Sequence, residues 1–343
     1  MKNMKLSTIQ STVRLGLVVV SLSGMLLATS VQAQKPVVIE FSHVVSADTA
    51  KGKAALRFKE LAESRSNGKV RVEVYPDSQR YKDGEEIEAL RSGAVQMLAP
   101  SFSKLSRVGG TDLMALDLPY LFRDHAAFQQ FTQSTVANGM LRKLEPYGIQ
   151  GLAFWDNGTK VFSANSPLHT ASDFAGLKMR VQASKVLVKQ MELLGSRHSV
   201  MPLTDVAGAL QRGALDGQEN VPSNILTQRL HLVQKHLTLS NHGYLAYVVI
   251  VNKRFWDKLP PKLRSILEAA LQEASTYANQ LAEQENSLAL EQIRVSGKVV
   301  IYEPTAAEHK DLKRAMDGVY GATRSLFSPE VQAAVEKLHA APS

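Results

Sequence analysis

Residues 37–44, VVIEFSHV, alternate apolar and polar side chains as a half-buried strand does. The spacing then changes to a helical one over residues 51–64, with Ala55, Phe58, Leu61 and Ala62 on one face, and returns to alternation in KVRVEVYP at 69–76. A short helix over 85–91 and a buried strand in AVQMLAPS at 94–101 follow. Strand-helix-strand alternation of this kind predicts parallel strands covered by helices, with ligand-bearing loops gathered at one sheet edge.

A second run of elements begins near Gly148. It comprises a strand over 150–155, an extended segment over 160–165, a strand over 177–181, a helix over 185–194 with Ser184 as its N-cap, and a helix opened by Thr204 that ends before Gly213. YLAYVVIVN, residues 244–252, is apolar and β-branched enough for a central strand. From Pro261 to about Ser296 neither proline nor glycine interrupts an apolar period through Leu267, Ala270, Leu271, Ala274, Ala278, Leu281, Leu288 and Ile293. That predicts one helix on the order of 50 Å long, too long for a single small domain. Its heptad seam is poor for a coiled coil, and a helix crossing two domains fits better. No repeat, low-complexity tract or Gly/Ser linker separates the two runs, so strands rather than a tether are expected to join them.

The amino terminus stands apart from this alternation. Lys2, Lys5 and Arg14 precede an apolar run over 15–28, and Val31-Gln32-Ala33 closes it with small residues at the −3 and −1 positions, the form of a secretory signal peptide cleaved after Ala33. The apolar run is shorter than a membrane span and is broken by Ser21, Ser23 and Gly24. No cysteine is present to carry a lipid or a disulfide. Of 343 residues, 44% are hydrophobic and 21% charged, enough for two cores of ordinary size. The net charge of +8 includes three cations and no acid from residues 1–33, leaving +5 on the exported chain. A mild positive excess favours anions, but no basic tract with interleaved aromatics suggests nucleic acid.

No catalytic signature is present: no GxSxG elbow, HExxH, P-loop or GxGxxG after a strand. The nine histidines lack metal-ligand spacing, with His231 and His236 five apart, and Glu85, Glu86 and Glu88 suit a helix N-terminus on electrostatic grounds. No metal or cofactor site is expected. In FAGLKMRVQAS, residues 174–184, the alternation places Leu177, Met179 and Val181 on one face and Lys178, Arg180 and Gln182 on the other. Arg180 is either a solvated edge charge or a rigid fork for a carboxylate. Asn220 is either the N-cap of a helix starting near Val221 or an amide that orients such a carboxylate. Lys160, in WDNGTK, is a turn-exit lysine or a second anion anchor.

VEVYPDSQ (72–79), AVQMLAPS, DLPYLF (117–122), WDNGTK, GLKMRVQASKVL (176–187) and GALDGQENVPSNI (213–225), in this order along the mature chain, resemble the solute-binding proteins of tripartite ATP-independent periplasmic (TRAP) transporters, of the DctP type. The resemblance implies an α/β, two-domain periplasmic-binding-protein-like fold with crossing strands and a long spine helix. Residues 34–157 with about 246–280 would form one domain, and 158–245 with about 281–343 the other. It implies interdomain closure over a small organic anion, commonly a C4-dicarboxylate such as malate, succinate or fumarate, and delivery to the small and large subunits of a sodium-coupled membrane permease, by a periplasmic monomer without cofactor. Arg180 takes the place of the family's carboxylate-binding arginine and Asn220 that of its orienting asparagine. Lys160 stands where many members have arginine, and Val221 where many have proline. Similarity also puts His43, Lys51, Ser101, Trp155 and Tyr244 near the cleft. The alternatives are a ligand-binding adaptor for a membrane sensor and, against the missing acid/base constellation, a periplasmic lyase or hydrolase.

Overall fold

The computed structural model describes residues 35–340; the signal peptide expected over 1–33 lies outside them. In chain order the strands are β1 (Val37–Ser42), β2 (Val70–Tyr75), β3 (Met97–Leu98), β4 (Ile149–Ala164), β5 (Lys178–Val181), β6 (Arg197–Val200), β7 (Gly217–Asn220), β8 (His236–Asn252) and β9 (Val300–Tyr302). The helices are α1 (Ala50–Arg65), α2 (Glu86–Ser92), α3 (His125–Thr132), α4 (Thr135–Arg142), α5 (Lys185–Leu193), α6 (Leu203–Gln211), α7 (Pro222–Thr227), α8 (Lys253–Asp257), α9 (Pro261–Ser296), α10 (Ala306–Met316), α11 (Gly318–Thr323) and α12 (Pro329–His339). Among the described residues no helix is long and apolar enough to cross a membrane.

The strands form one mixed sheet in the order β2-β1-β3-β8-β4-β7-β5-β6, with β9 added to β8. Its two flanks are parallel, β1 with β2 and β3 on one side and β5 with β6 and β7 on the other, as strand-helix alternation requires. The centre is antiparallel, because β8 pairs with β3 and β4, and β4 with β7. Alternation along the chain did not reveal that reversal, which arises from two strands long enough to serve both flanks.

β4 unites the segments over 150–155 and 160–165 into 16 residues, and β8 begins eight residues before the expected strand. β4 keeps its pairing through register shifts at Gly151/Ala153, Asp156/Gly158 and Lys160/Phe162. Gly158 sits in the middle shift at φ 98°, a conformation that L side chains rarely adopt. The bulges bend and twist the strand where it passes from one flank to the other. β3, by contrast, keeps only two ladder residues of the longer run expected over 94–101.

One apolar cluster, with Leu98, Ile250, Met179 and Leu187, runs through both flanks, and each flank has a further cluster of its own. Ile39, Phe41, Phe58, Val72 and Leu267 belong to one cluster, built by β1, β2, α1 and the first half of α9. Val161, Val206, Leu215, Ile225 and Ile293 belong to another, closed by the far end of α9. One face of this 36-residue helix, roughly 54 Å long, therefore contributes to both. Gly297, in the left-handed region at φ 62°, ends it.

Candidate functional site

The loops after the parallel strands of the two flanks meet over the crossing strands and enclose a cavity of about 20 Å³. Arg180 on β5, Asn220 at the end of β7 and Ser101 after β3 line it, joined by Asp83, Lys104 and Gln182. Val44, Val45, Leu203 and Leu245 supply apolar wall. Asp83, Lys104, Arg180 and Gln182 also line an adjoining cleft of about 280 Å³, so these four side chains stand between the two spaces.

Arg180 is 2% exposed. Both faces of β5 are covered here, one by apolar core and the other by the cavity wall, so the reading of Arg180 as a solvated edge charge is excluded. Its Nε and Nη2 donate to Met201 O at 2.9 and 2.8 Å. A guanidinium has five N–H donors, and a single carbonyl leaves most of that fork available to an anion. Burial lowers the Arg180 pKa, while Asp83 and Glu219 oppose the shift; a guanidinium stays charged under such a load.

Asn220 is not a helix N-cap. It ends β7, Val221 occupies the cap, and Asn220 Oδ1 accepts from Val221 N at 3.0 Å and Asn224 Nδ2 at 2.9 Å. Those bonds commit the carbonyl end of the side chain and leave its NH₂ as a donor. Ser101 Oγ donates to Gln182 Oε1, joining the two flanks directly.

Lys104 is the second cation of the wall. Its Nζ pairs with Asp83 Oδ1 and lies 3.5 Å from Glu86 Oε1. Burial works against its charge, but Asp83 and Glu86 raise its pKa, so it stays an ammonium. Burial would raise Asp83 too, yet Lys104, the Leu203 amide and Arg180 hold it below the usual carboxylate range. Glu86 goes the other way, raised by burial more than Lys104 lowers it. The wall thus presents two cations and one anion to a ligand, which suits a small acid. The groove of about 520 Å³ between α3 and α9 has Glu268 and no lysine or arginine in its lining, and offers no such counter-charge.

Residues 41–325 match the family described as bacterial extracellular solute-binding protein, family 7. The chain is 50% identical over 318 residues to the C4-dicarboxylate-binding periplasmic protein DctP of Rhodobacter capsulatus, covering 92% of this chain and 96% of that one. The chain belongs to this family. Its fold matches that of a TRAP periplasmic solute-binding protein from Shewanella oneidensis with bound succinate, at TM-score 0.86 and 38% identity over 88% of this chain and 99% of the other. A second such protein, from Pseudomonas aeruginosa PAO1 with bound L-malate, matches at TM-score 0.82 and 41% identity, covering 84% and 100%. Family 7 proteins bind solutes for transport and are not enzymes.

Within this family 7 member the other expected residues lie apart from the cavity. Lys160 is buried, and its Nζ pairs with Glu219 Oε1 at 2.9 Å, while Glu219 Oε2 meets His242 Nε2 at 2.9 Å. The β-ladder sets Phe162 opposite Glu219 and Val161 opposite Asn220, so Glu219 and Asn220 point to opposite faces of the sheet. The structure therefore does not bring Lys160 beside Arg180 as a second anion anchor. Trp155 packs against Phe41, with ring centroids 5.8 Å apart, and donates Nε1 to Ser275 Oγ on α9 at 2.7 Å. Tyr244 stacks on Phe128 and donates to Asp156 Oδ2 at 2.8 Å. Ser184 makes no side-chain cap to α5.

Lys51 and His43 lie behind the wall. Lys51 Nζ donates to Ala99 O at 3.0 Å and stands 3.7 Å from the centroid of Tyr247, a ring that lines the cavity. Burial and Lys51 push His43 down to about 3, so it is neutral. Asp83, Lys104, Gln182, Asn224 and Tyr247 escaped the sequence reading as site residues. Gln182 shares the Arg180 face of the 177–182 alternation, and Asn224 lies only four residues after Asn220, in the helix that follows it, so both had a local signal. Asp83 and Lys104 sit in a loop and a 3₁₀ segment, where no period operates.

Proposed function

We propose that this chain is the extracytoplasmic solute-binding component of a TRAP transporter, capturing a C4-dicarboxylate such as malate, succinate or fumarate for a sodium-coupled permease of one small and one large membrane subunit. The observation that carries the reading is the Arg180 guanidinium, buried in the cavity wall with donors to spare and Lys104 beside it. One ligand carboxylate meets Arg180 and the Asn220 amide; the other lies toward Lys104. Two or three charge-assisted hydrogen bonds at roughly 1.5–3 kcal/mol each, less the cost of ordering, support micromolar affinity, about −8 kcal/mol.

Residues 34–157 with about 246–280 move against 158–245 with about 281–343, hinged on the crossing strands and α9. Closure removes water and strengthens each charge pair. The exported form begins at Gln34 after cleavage behind Ala33 and works as a monomer in the periplasm. Thermal-shift screening of an organic-acid panel tests the reading: C4-dicarboxylates raise the melting temperature of the wild type and leave Arg180→Ala unmoved. An equal shift in both proteins would reject it.

A further inference from the structure

Lys51 is buried at the second position of α1, and its ammonium meets only neutral groups, the Ala99 carbonyl and the face of Tyr247. Among the described residues no carboxylate is paired with it, whereas the buried Lys104 has two and the buried Lys160 one. The groups that face Lys51 come from every side: His43 after β1, Asp83 before α2, Glu86 on α2, Lys104 from the 3₁₀ segment over 102–108, and Tyr247 on β8. On the outer side α9 presents Glu285, which pairs with Lys53 instead. The position near a helix N-terminus is also unfavourable for a cation.

The charges nearest the ligand leave the site one positive charge. Of the side chains lining the cavity, Arg180 and Lys104 are cations and Asp83 is an anion, and His43 behind them is held neutral by burial. A dicarboxylate carries two negative charges, so its entry would turn that excess into one uncompensated negative charge in a water-poor space. Only one ring separates Lys51 from the cavity, and protonation of its amine would restore neutrality. A monocarboxylate would be neutralised without it.

We propose that Lys51 is a third counter-charge of the site, taking up a proton when a dianionic ligand enters and so coupling dicarboxylate capture to proton binding. The inference rests on the dicarboxylate reading and adds to it the selection of dianions over monoanions. Burial, with Lys104 next in weight, lowers Lys51 to about 7, against opposition from Glu86 and Asp83, so the amine is divided between its two forms near neutral pH. A dianion raises that value. Affinity is then full below about pH 7 and declines as pH rises, by up to about tenfold per unit, until the bound-state value is passed. The window lies above the range where carboxylates titrate, so ionisation of the ligand does not enter.

Calorimetric titration of the exported chain with succinate, in two buffers of different ionisation enthalpy, reads the proton number directly. The expected uptake is a fraction of one proton near neutral pH that grows as pH rises above it. Lys51→Met is expected to take up none and to bind with a flat profile between about pH 7 and 9. Zero uptake by the wild type overturns the inference whether or not the variant folds, and undiminished uptake by Lys51→Met assigns the proton elsewhere and overturns it too. Absence of any binding heat or melting shift with every C4-dicarboxylate defeats the dicarboxylate reading itself, and this inference with it.

Discussion

Asp83 Oδ2 accepts a hydrogen bond from the Leu203 amide at 2.8 Å, tying the loop after β2 to the first turn of α6 across the cavity. The other oxygen of the same carboxylate holds Lys104. A site for acids thus contains a fixed acid of its own, and its partners lie on both flanks of the sheet. It links the two flanks across the cavity. The Lys82–Asp205 pair, at 3.8 Å and exposed, adds little at the same seam.

Removing this link is expected to act on ligand release. A charge-assisted hydrogen bond contributes roughly 1.5–3 kcal/mol, so Asp83→Ala should speed dissociation about ten- to a hundredfold. Association should not slow, because Lys104 is left with a freer positive charge to attract the anion. Stopped-flow fluorescence, with Trp155 and Trp256 as reporters, separates the two rates. An unchanged off-rate would show that Asp83 does not hold the flanks together.

Arg180→Lys tests geometry separately from charge. Lysine preserves the positive charge but replaces a planar fork with a point donor. With Met201 O still to be satisfied, an ammonium has too few directed donors for both the carbonyl and a bidentate carboxylate. The affinity for succinate is expected to fall by about a hundredfold, equivalent to roughly 3 kcal/mol. Calorimetry that finds the two proteins equal would mean that the fork is not used.

How far these residues are legible in the sequence depends on the range of the interaction that places them. β1, α1 and β2 follow from period alone, and α9 from an uninterrupted apolar stripe, because a buried face imposes its spacing locally. Arg180 was visible as a polar residue at fixed phase on a short strand, and Gln182 with it. β4 appeared as two pieces because Gly158 and its neighbours read as a turn, whereas β8 carries the ladder across the bulge. Lys160 reads from WDNGTK as a turn-exit lysine or a second anion anchor; its pairing with Glu219 depends on the register of β4 against β7, between residues 59 apart. Asp83 and Lys104 meet only through tertiary packing, so no local pattern could have marked them.

The Lys160–Glu219–His242 cluster predicts the shape of the acid limb of stability. Burial lowers His242 to about 4 from 6.5, against the pull of Glu219. Its stabilisation is therefore present above pH 6.5 and lost as pH falls through 4. Glu219 reaches about 2 from 4.5, because Lys160 and the His242 hydrogen bond outweigh burial, and its contribution is lost between those values. Asp117 opposes the first limb: burial raises it to about 6 from 3.8, so its contribution is present below pH 3.8 and lost as pH rises through 6. His242→Gln should flatten the decline between pH 6.5 and 4 by up to about 3 kcal/mol, at 1.36 kcal/mol per unit. Chemical denaturation at a series of pH values checks it, and parallel curves for variant and wild type would exclude His242 as the cause.

Lys160→Met separates a structural role from a ligand-binding one. Glu219 would be left buried beside a neutral histidine, a loss of about 3–5 kcal/mol for a broken buried pair. If the residue acts only through Glu219, the folded fraction of the variant binds succinate with wild-type affinity at low temperature. A large loss of affinity at full folding would return Lys160 to the ligand.

Gly217 sets the spacing between Arg180 and Asn220 in the cavity wall. It opens β7, which lies between β4 and β5, with Met179 opposite Gly217 and Arg180 opposite Gln218. A methyl group at 217 would come within 2.5 Å of Ser163 O and 2.8 Å of Met179 Sδ. The methionine has room to adjust, but the carbonyl belongs to a central strand paired on both sides and does not. Gly217→Ala is therefore expected to cost about 1–3 kcal/mol, the range for overpacking, and to weaken succinate binding by displacing Asn220 relative to Arg180. Gly139→Ala provides the contrast, since on α4 the added methyl group meets nothing closer than Arg142 Nη2 at 4.0 Å. The same chemical change there should stabilise the protein by about 0.5–1 kcal/mol through helix propensity and leave affinity alone. Melting curves and calorimetry on the pair decide it, and a Gly217→Ala protein as stable and as tight-binding as Gly139→Ala would mean that β4, β7 and β5 are not held at the spacing described.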